Sequence, residues 1–286
     1  MLRALVALVC VVMLAGPAAA QSSITLNANP TILVDASING RPVRLEVDLR
    51  FPDVLVLSQA AAERLGVRRV PLARVVAALD DARVSGRLAR PHVAFANGER
   101  VRVNAGVFPV PASRRADGVI GPGVLPYDRI TIVLGGDAAG ARDIVLSLDD
   151  PDIWRTATDV GGVEAQLSFD SANAPTVLNR SLASALDASG GVAASGDLEQ
   201  AQLMLGLRTL MQPVTSDTTV AGLALGPTLA RTRSPLLGAE EEGAVTVLAD
   251  ANLPPPALWL GRSAISHCAS ISVDRSSRTL TLRCAG

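Results

Sequence analysis

Two aspartates stand at matched positions in this chain of 286 residues. Asp48 falls eight residues after Gly40, Asp170 falls eight after Gly162, and each closes a run in which apolar and polar residues alternate. An aspartate at a strand end commonly bonds the amides of the turn that follows. Recurrence at one spacing gives this pair a weight that a lone strand-end aspartate lacks. Other reactive side chains are sparse. His92 and His267 are the two histidines and no Gly-x-Ser-x-Gly elbow accompanies them, so a serine hydrolase is poorly supported. Both read as surface or strand-end residues. Glu240-Glu241-Glu242 reads as a solvated loop, and Trp154 and Trp259 read as packing residues at the junction of two halves and in the core.

The start of the chain sets the redox context for the cysteines. Met1-Leu2-Arg3 is a short positive segment, Ala4 to Ala15 is almost wholly apolar, and Gly16-Pro17-Ala18-Ala19-Ala20 ends in small residues before Gln21. Residues 1–20 therefore read as a cleaved secretory signal, too short in its apolar run for the roughly 20 residues of a membrane span. Cys10 leaves with that segment. Cys268 and Cys284 then face an oxidising compartment, periplasmic or extracellular, where a disulfide is the natural expectation. No ligand cluster accompanies them, so no metal is expected, and nothing in the chain implies an organic cofactor.

Stepping outward to the elements, the chain repeats itself. Val34 to Ile38, Asn39-Gly40 and Val43 to Asp48 precede Val54-Leu55-Val56-Leu57 and then Ser58 to Gly66. Ala157 to Val160, Gly161-Gly162 and Val163 to Asp170 precede Val177-Leu178-Asn179 and then Leu182 to Leu186. Asn-Gly and Gly-Gly tolerate positive φ and mark hairpin turns. Ser58 and Asn179 are N-cap residues for a helix in each copy, and Gly66 follows the first helix as a stop. Further on, Val119-Ile120-Gly121 and Leu258-Trp259-Leu260-Gly261 each precede another strand by nine residues. Length and repeat together predict two units, 21–150 and 151–286, each able to bury a core. At 49% hydrophobic residues the chain should fold, and a formal charge of −1 gives no basic footprint for nucleic acid.

This order (turn glycine, strand, aspartate, short loop, strand, helix, then two apolar residues and glycine) resembles the retropepsin-like and pepsin-like aspartic proteases. The resemblance covers roughly residues 24 to 284. It implies a mainly β, bilobal aspartic-protease fold made of two tandem retropepsin-like β-barrel lobes with short helices. Asp48 and Asp170 then correspond to the catalytic aspartates, and Ile120-Gly121 and Leu260-Gly261 to the apolar-glycine motifs. Two carboxylates about 3 Å apart share one proton, the ionised member activating water and the protonated one polarising a peptide carbonyl. An extended peptide or a protein would lie in the cleft between lobes, under a flap sought in the region from Arg83 to Gly98.

The catalytic loops depart from the family pattern of Asp-Thr/Ser-Gly. Ser171 keeps a hydroxyl, while Ala172 replaces glycine. Leu49 offers no hydroxyl. Arg50 stands at the glycine position, where a bulky cation conflicts with close backbone approach. Folded inward, a guanidinium within about 4–6 Å lowers a carboxylate pKa by roughly 1–3 units and displaces the shared proton. Three functions follow as expectations: an exported peptide-binding protein with impaired or lost peptidase activity, an aspartic endopeptidase working through Asp48 and Asp170, or a cell-envelope structural or assembly protein retaining only the fold.

Overall fold

The computed structural model describes residues 22–29, 31–79, 82–170, 173–202, 205, 207–231, 236–237, 245–247 and 254–285. The signal-like segment, Ser171, Ala172 and the triple glutamate lie outside these residues. The chain is mainly β, with two short α-helices among the described residues.

Both anticipated hairpins form. Strands Leu33–Ile38 and Arg41–Val47 pair antiparallel through Asn39-Gly40, whose φ values are 53° and 74°. Strands Thr156–Val160 and Val163–Asp170 pair through Gly161-Gly162, at 60° and 85°. Positive φ at both central residues is the two-residue turn whose twist suits the flanking strands. Alternation then turns Val43, Leu45 and Val47 into one core, and Ala165, Leu167 and Phe169 into the corresponding position of the second copy.

From each hairpin the same order of pairing unfolds. Gly118–Ile120 lies parallel to Arg41–Val47 and antiparallel to Val54–Ser58, which in turn runs parallel to Asn104–Phe108. In the second copy Ala257–Gly261 lies parallel to Val163–Asp170 and antiparallel to Thr176–Leu178, which runs parallel to Thr228–Arg231. Each fourth strand is then joined antiparallel by another, Ala82–Ala89 in the first copy and Leu207–Thr215 in the second. Helix α1, Gln59–Arg64, starts where the Ser58 hydroxyl accepts from the Ala61 amide at 3.1 Å. Helix α2, Arg180–Ala188, starts where the Asn179 side-chain oxygen accepts from the Leu182 amide at 2.9 Å. Each cap satisfies an amide that the first turn leaves without an intrahelical partner.

The expected closed β-barrels are not present among the described residues. The strands that follow the two glycine motifs, Arg129–Val133 and Cys268–Asp274, leave their own sheets and pair with each other. With Ser23–Asn27, Thr279–Cys284 and Arg142–Ser147 they make a separate five-stranded sheet shared by both copies. Closure requires the first and last strands of a sheet to meet. Instead the large sheet of the first copy ends on Arg100–Arg102, which pairs on one side with His92–Phe95. Cys268 and Cys284 form the disulfide, buried between neighbouring strands of the shared sheet. Among the described residues no helix is long and apolar enough to cross a membrane.

Shared packing fixes the two copies against each other. One hydrophobic cluster runs from Leu45, Leu55 and Ile120 through fully buried Trp154 to Phe169, Leu178 and Leu260. A smaller cluster joins Phe51, Val56 and Phe108 to Leu205 and Leu207 of the second copy. Arg275 adds a polar tie, donating to the carbonyls of Pro122, Gly123, Leu125 and Tyr127.

Candidate functional site

The two glycine motifs explain how each aspartate is set. A Cβ on Gly121 would overlap the Pro52 carbonyl, and one on Gly261 would overlap the Pro175 carbonyl. Only glycine lets the loop after each aspartate cross this closely over the neighbouring strand. The crossing is tied down by the Asp48 amide donating to the Ile120 carbonyl at 3.0 Å and the Gly121 amide donating to the Val54 carbonyl at 3.1 Å. In the second copy the Arg262 amide donates to the Asn173 carbonyl at 2.8 Å, and Asp170 pairs in register with Gly261.

Both carboxylates bond turn amides, as strand-end aspartates do. Asp48 Oδ1 accepts from the Arg50 amide at 3.0 Å, and Asp170 Oδ1 accepts from the Asn173 amide at 3.0 Å. The Asn173 side-chain amide also donates to Asp170 Oδ2 at 2.7 Å. Asn173 carries out a role that was not anticipated from the sequence, although Asp-x-x-Asn is a spacing in which a side chain can fold back onto the first residue of a turn.

Arg50 folds inward. Its Nε donates to Asp48 Oδ1 at 2.9 Å and its Nη2 to Asp48 Oδ2 at 2.6 Å, a two-pronged pairing, while Nη1 donates to Asp170 Oδ2 at 2.8 Å. The structure therefore brings Asp48 and Asp170 onto one guanidinium. Side-chain exposure is 21% for Arg50, 10% for Asp48 and 2% for Asp170, so the cluster is largely withdrawn from water. Burial alone pulls the Arg50 pKa down; the charges of Asp48 and Asp170 and the bonds to Asp48 outweigh it and hold the guanidinium above its usual value. Arg50 is a fixed cation. A guanidinium has only donors, so every oxygen it touches here serves as an acceptor. Leu49 turns the other way, into the core, at 1% exposure. Ser171 and Ala172 are outside the described residues.

Next to this cluster Glu46, on the same face of its strand as Asp48, takes a bond from the Ser113 hydroxyl at 2.5 Å. Burial raises its pKa, and the Ser113 bond offsets part of that rise.

Above the cluster lies a cleft of about 500 Å³ whose walls come from both copies, including Arg50, Val56, Phe108, Gln166, Ser168 and Trp259. The long hairpin of Arg69–Leu79 and Ala82–Ala89 contributes Val75, Val76, Ala77 and Leu88 to its rim. Within the Arg83 to Gly98 region where the resemblance places a flap, Leu88 lines the cleft, whereas the Asn97-Gly98 turn joins His92–Phe95 to Arg100–Arg102 beside Leu33–Ile38. Trp259 faces the cleft with the Arg231 guanidinium 4.7 Å above its ring, and Arg155 enters from the junction of the copies. Sequence reading missed Arg155 and Arg231, since neither lies in a repeated motif. His92 and His267 are exposed. His267 lies near the sulfurs of Cys268 and Cys284, but these are bonded to each other and present no thiolate ligands.

No family model matches this chain, and no curated protein matches it at a significant level.

Proposed function

We propose that this is an exported protein of the bilobal aspartic-protease fold that binds extended polypeptide in the cleft between its two copies and has lost ordinary peptidase activity. The reading of the fold is supported by the duplicated pairing order, with each aspartate at the end of a strand and each motif glycine under the crossing loop. Export is supported by the Cys268–Cys284 disulfide together with the signal-like first twenty residues.

The observation that carries the loss of activity is the Arg50 bridge. Hydrolysis by a carboxylate pair needs one proton shared between the two groups and a water activated by them. Arg50 supplies as a permanent charge what the shared proton would supply, and its nitrogens occupy hydrogen-bonding positions on both carboxylates. The group cannot be used as an acid, because a guanidinium does not give up its proton in a protein.

Binding survives this loss. A cleft with apolar walls and backbone edges can hold an extended strand through main-chain hydrogen bonds and side-chain pockets without any chemistry at its floor. The test is binding of a reduced, alkylated, unfolded protein to the purified chain, read by fluorescence anisotropy. Saturable binding that weakens at least tenfold when Gln166, exposed on the cleft wall, is enlarged to Trp, with the melting temperature retained, supports the reading. Undiminished binding by Gln166→Trp, or no binding by the parent protein, contradicts it.

A further inference from the structure

Taking the peptide-binding reading as its base, we propose that the cleft selects polypeptide bearing a carboxylate, either a free C-terminus or an Asp or Glu side chain, and that Arg155 is the residue that receives it. Three arginines line the cleft, Arg50, Arg155 and Arg231, and among the described lining residues there is no Asp or Glu. Arg50 is committed to Asp48 and Asp170. Arg231 is buried at 6% exposure and stacked over Trp259. Arg155 is different. Half-buried at the cleft, it donates from Nη2 to the Arg50 carbonyl at 3.1 Å, and among the described residues no carboxylate pairs with it.

A guanidinium drawn partly out of water without a counter-charge is an unfavourable arrangement in a protein that has nothing to put against it. Burial pushes the Arg155 pKa below its usual value, and among the described residues no acidic neighbour counters it. The bond to the Arg50 carbonyl fixes the plane of the group and uses one donor of five, leaving a fork that matches a carboxylate. Asp48 and Asp170 together outnumber Arg50 by one negative charge, which opposes an incoming anion, but they lie beneath Arg50 and do not line the cleft. Apolar walls from Val56, Val75, Phe108 and Trp259 exclude water and suit the rest of an uncharged chain. The occupant that fits is therefore mostly apolar and extended, with one carboxylate.

The experiment uses octapeptide pools whose varied positions exclude Asp and Glu, labelled at the N-terminus with a neutral fluorophore, in three forms: C-terminal carboxylate with one central Gln, C-terminal amide with one central Glu, and C-terminal amide with one central Gln. A charge-assisted bond to a half-buried guanidinium corresponds to about tenfold or more in affinity. At least one carboxylate form is expected to bind tenfold or more tightly than the Gln amide, and the tighter of the two identifies the source. Arg155→Gln, which keeps a donor for the Arg50 carbonyl, is expected to abolish that difference with an unchanged melting temperature, and Arg155→Lys to retain part of it. Equal binding of all three forms, or a preference surviving Arg155→Gln, overturns the inference and leaves the peptide reading standing. Binding of none of the three overturns the peptide reading, and this inference with it.

Discussion

Arg50 Nη1 lies 2.8 Å from Asp170 Oδ2, joining residues 120 positions apart, one from each copy of the duplicated unit. The same guanidinium pairs with Asp48 two residues before it, so the two strand-end aspartates are held as partners of a cation. Removing that cation exposes what the pair does without it.

Arg50→Gln is expected to destabilise the protein by about 3–5 kcal/mol at neutral pH, the scale for breaking a buried ion pair on one side. Without Arg50 two largely buried carboxylates are left facing one another with no shared cation. Urea unfolding of parent and variant at pH 7 checks the size of the loss; a loss within the roughly 1 kcal/mol of an exposed ion pair contradicts it.

Gly121→Ala and Gly261→Ala are each expected to cost more than about 3 kcal/mol, because the added Cβ meets backbone carbonyls of Pro52 and Pro175 that belong to a tied loop and cannot step aside. Gly98→Ala serves as the comparison. At that exposed turn a Cβ meets nothing, and the cost is confined to the positive φ of 84°. Thermal melts of the three variants give the order, and a Gly98 variant as unstable as the other two contradicts it.

The helix caps are not equivalent. Ser58 accepts one amide, so Ser58→Ala is expected to cost about 1 kcal/mol. Asn179, itself 1% exposed, accepts from the amides of Leu182 and Ala257 and donates to the Pro255 carbonyl. Asn179→Ala leaves the buried Leu182 amide and the half-buried Ala257 amide without this acceptor and is expected to cost at least twice as much. Equal losses in denaturant titration contradict this assignment.

How far the sequence reaches is clear from these residues. Asn39-Gly40, Gly161-Gly162, Ser58 and Asn179 act through turn and cap chemistry that is local, and the structure places each as their residue types predict. The departure at Arg50 was likewise visible, because the resemblance supplies a glycine position in the loop after Asp48 against which an arginine stands out. Sheet membership was not visible. Arg129–Val133 and Cys268–Asp274 pair although Val133 and its partner Ser270 are 137 positions apart, and alternation says which face of a strand is buried without saying which strand lies beside it. Arg155 and Arg231 escaped notice for a related reason: outside the repeat, an arginine that lines a cleft reads the same as one on the surface.

Asp274 gives a pH-dependent element, in the shared sheet. The Ser276 hydroxyl, and after it the Arg129 guanidinium, hold this carboxylate well below its usual range. A depressed folded-state value contributes stability above the unfolded value of about 3.9, and that stability is lost as pH falls below it. Asp274→Asn is expected to be less stable than the parent at pH 7, with the gap closing below about pH 4. A gap that stays constant from pH 7 to pH 2.5 in urea titrations contradicts this origin.

The central claim is that Arg50 has taken the place of the proton that a hydrolytic carboxylate pair would share. The most direct measurement incubates the purified protein with an unfolded protein mixture from pH 3 to pH 7, beside Asp48→Ala and Asp170→Ala, and follows new N-termini by mass spectrometry. The expected result is no cleavage above background by any of the three at any pH. Cleavage by the parent protein that both substitutions abolish equally would contradict the claim and establish a working aspartic peptidase.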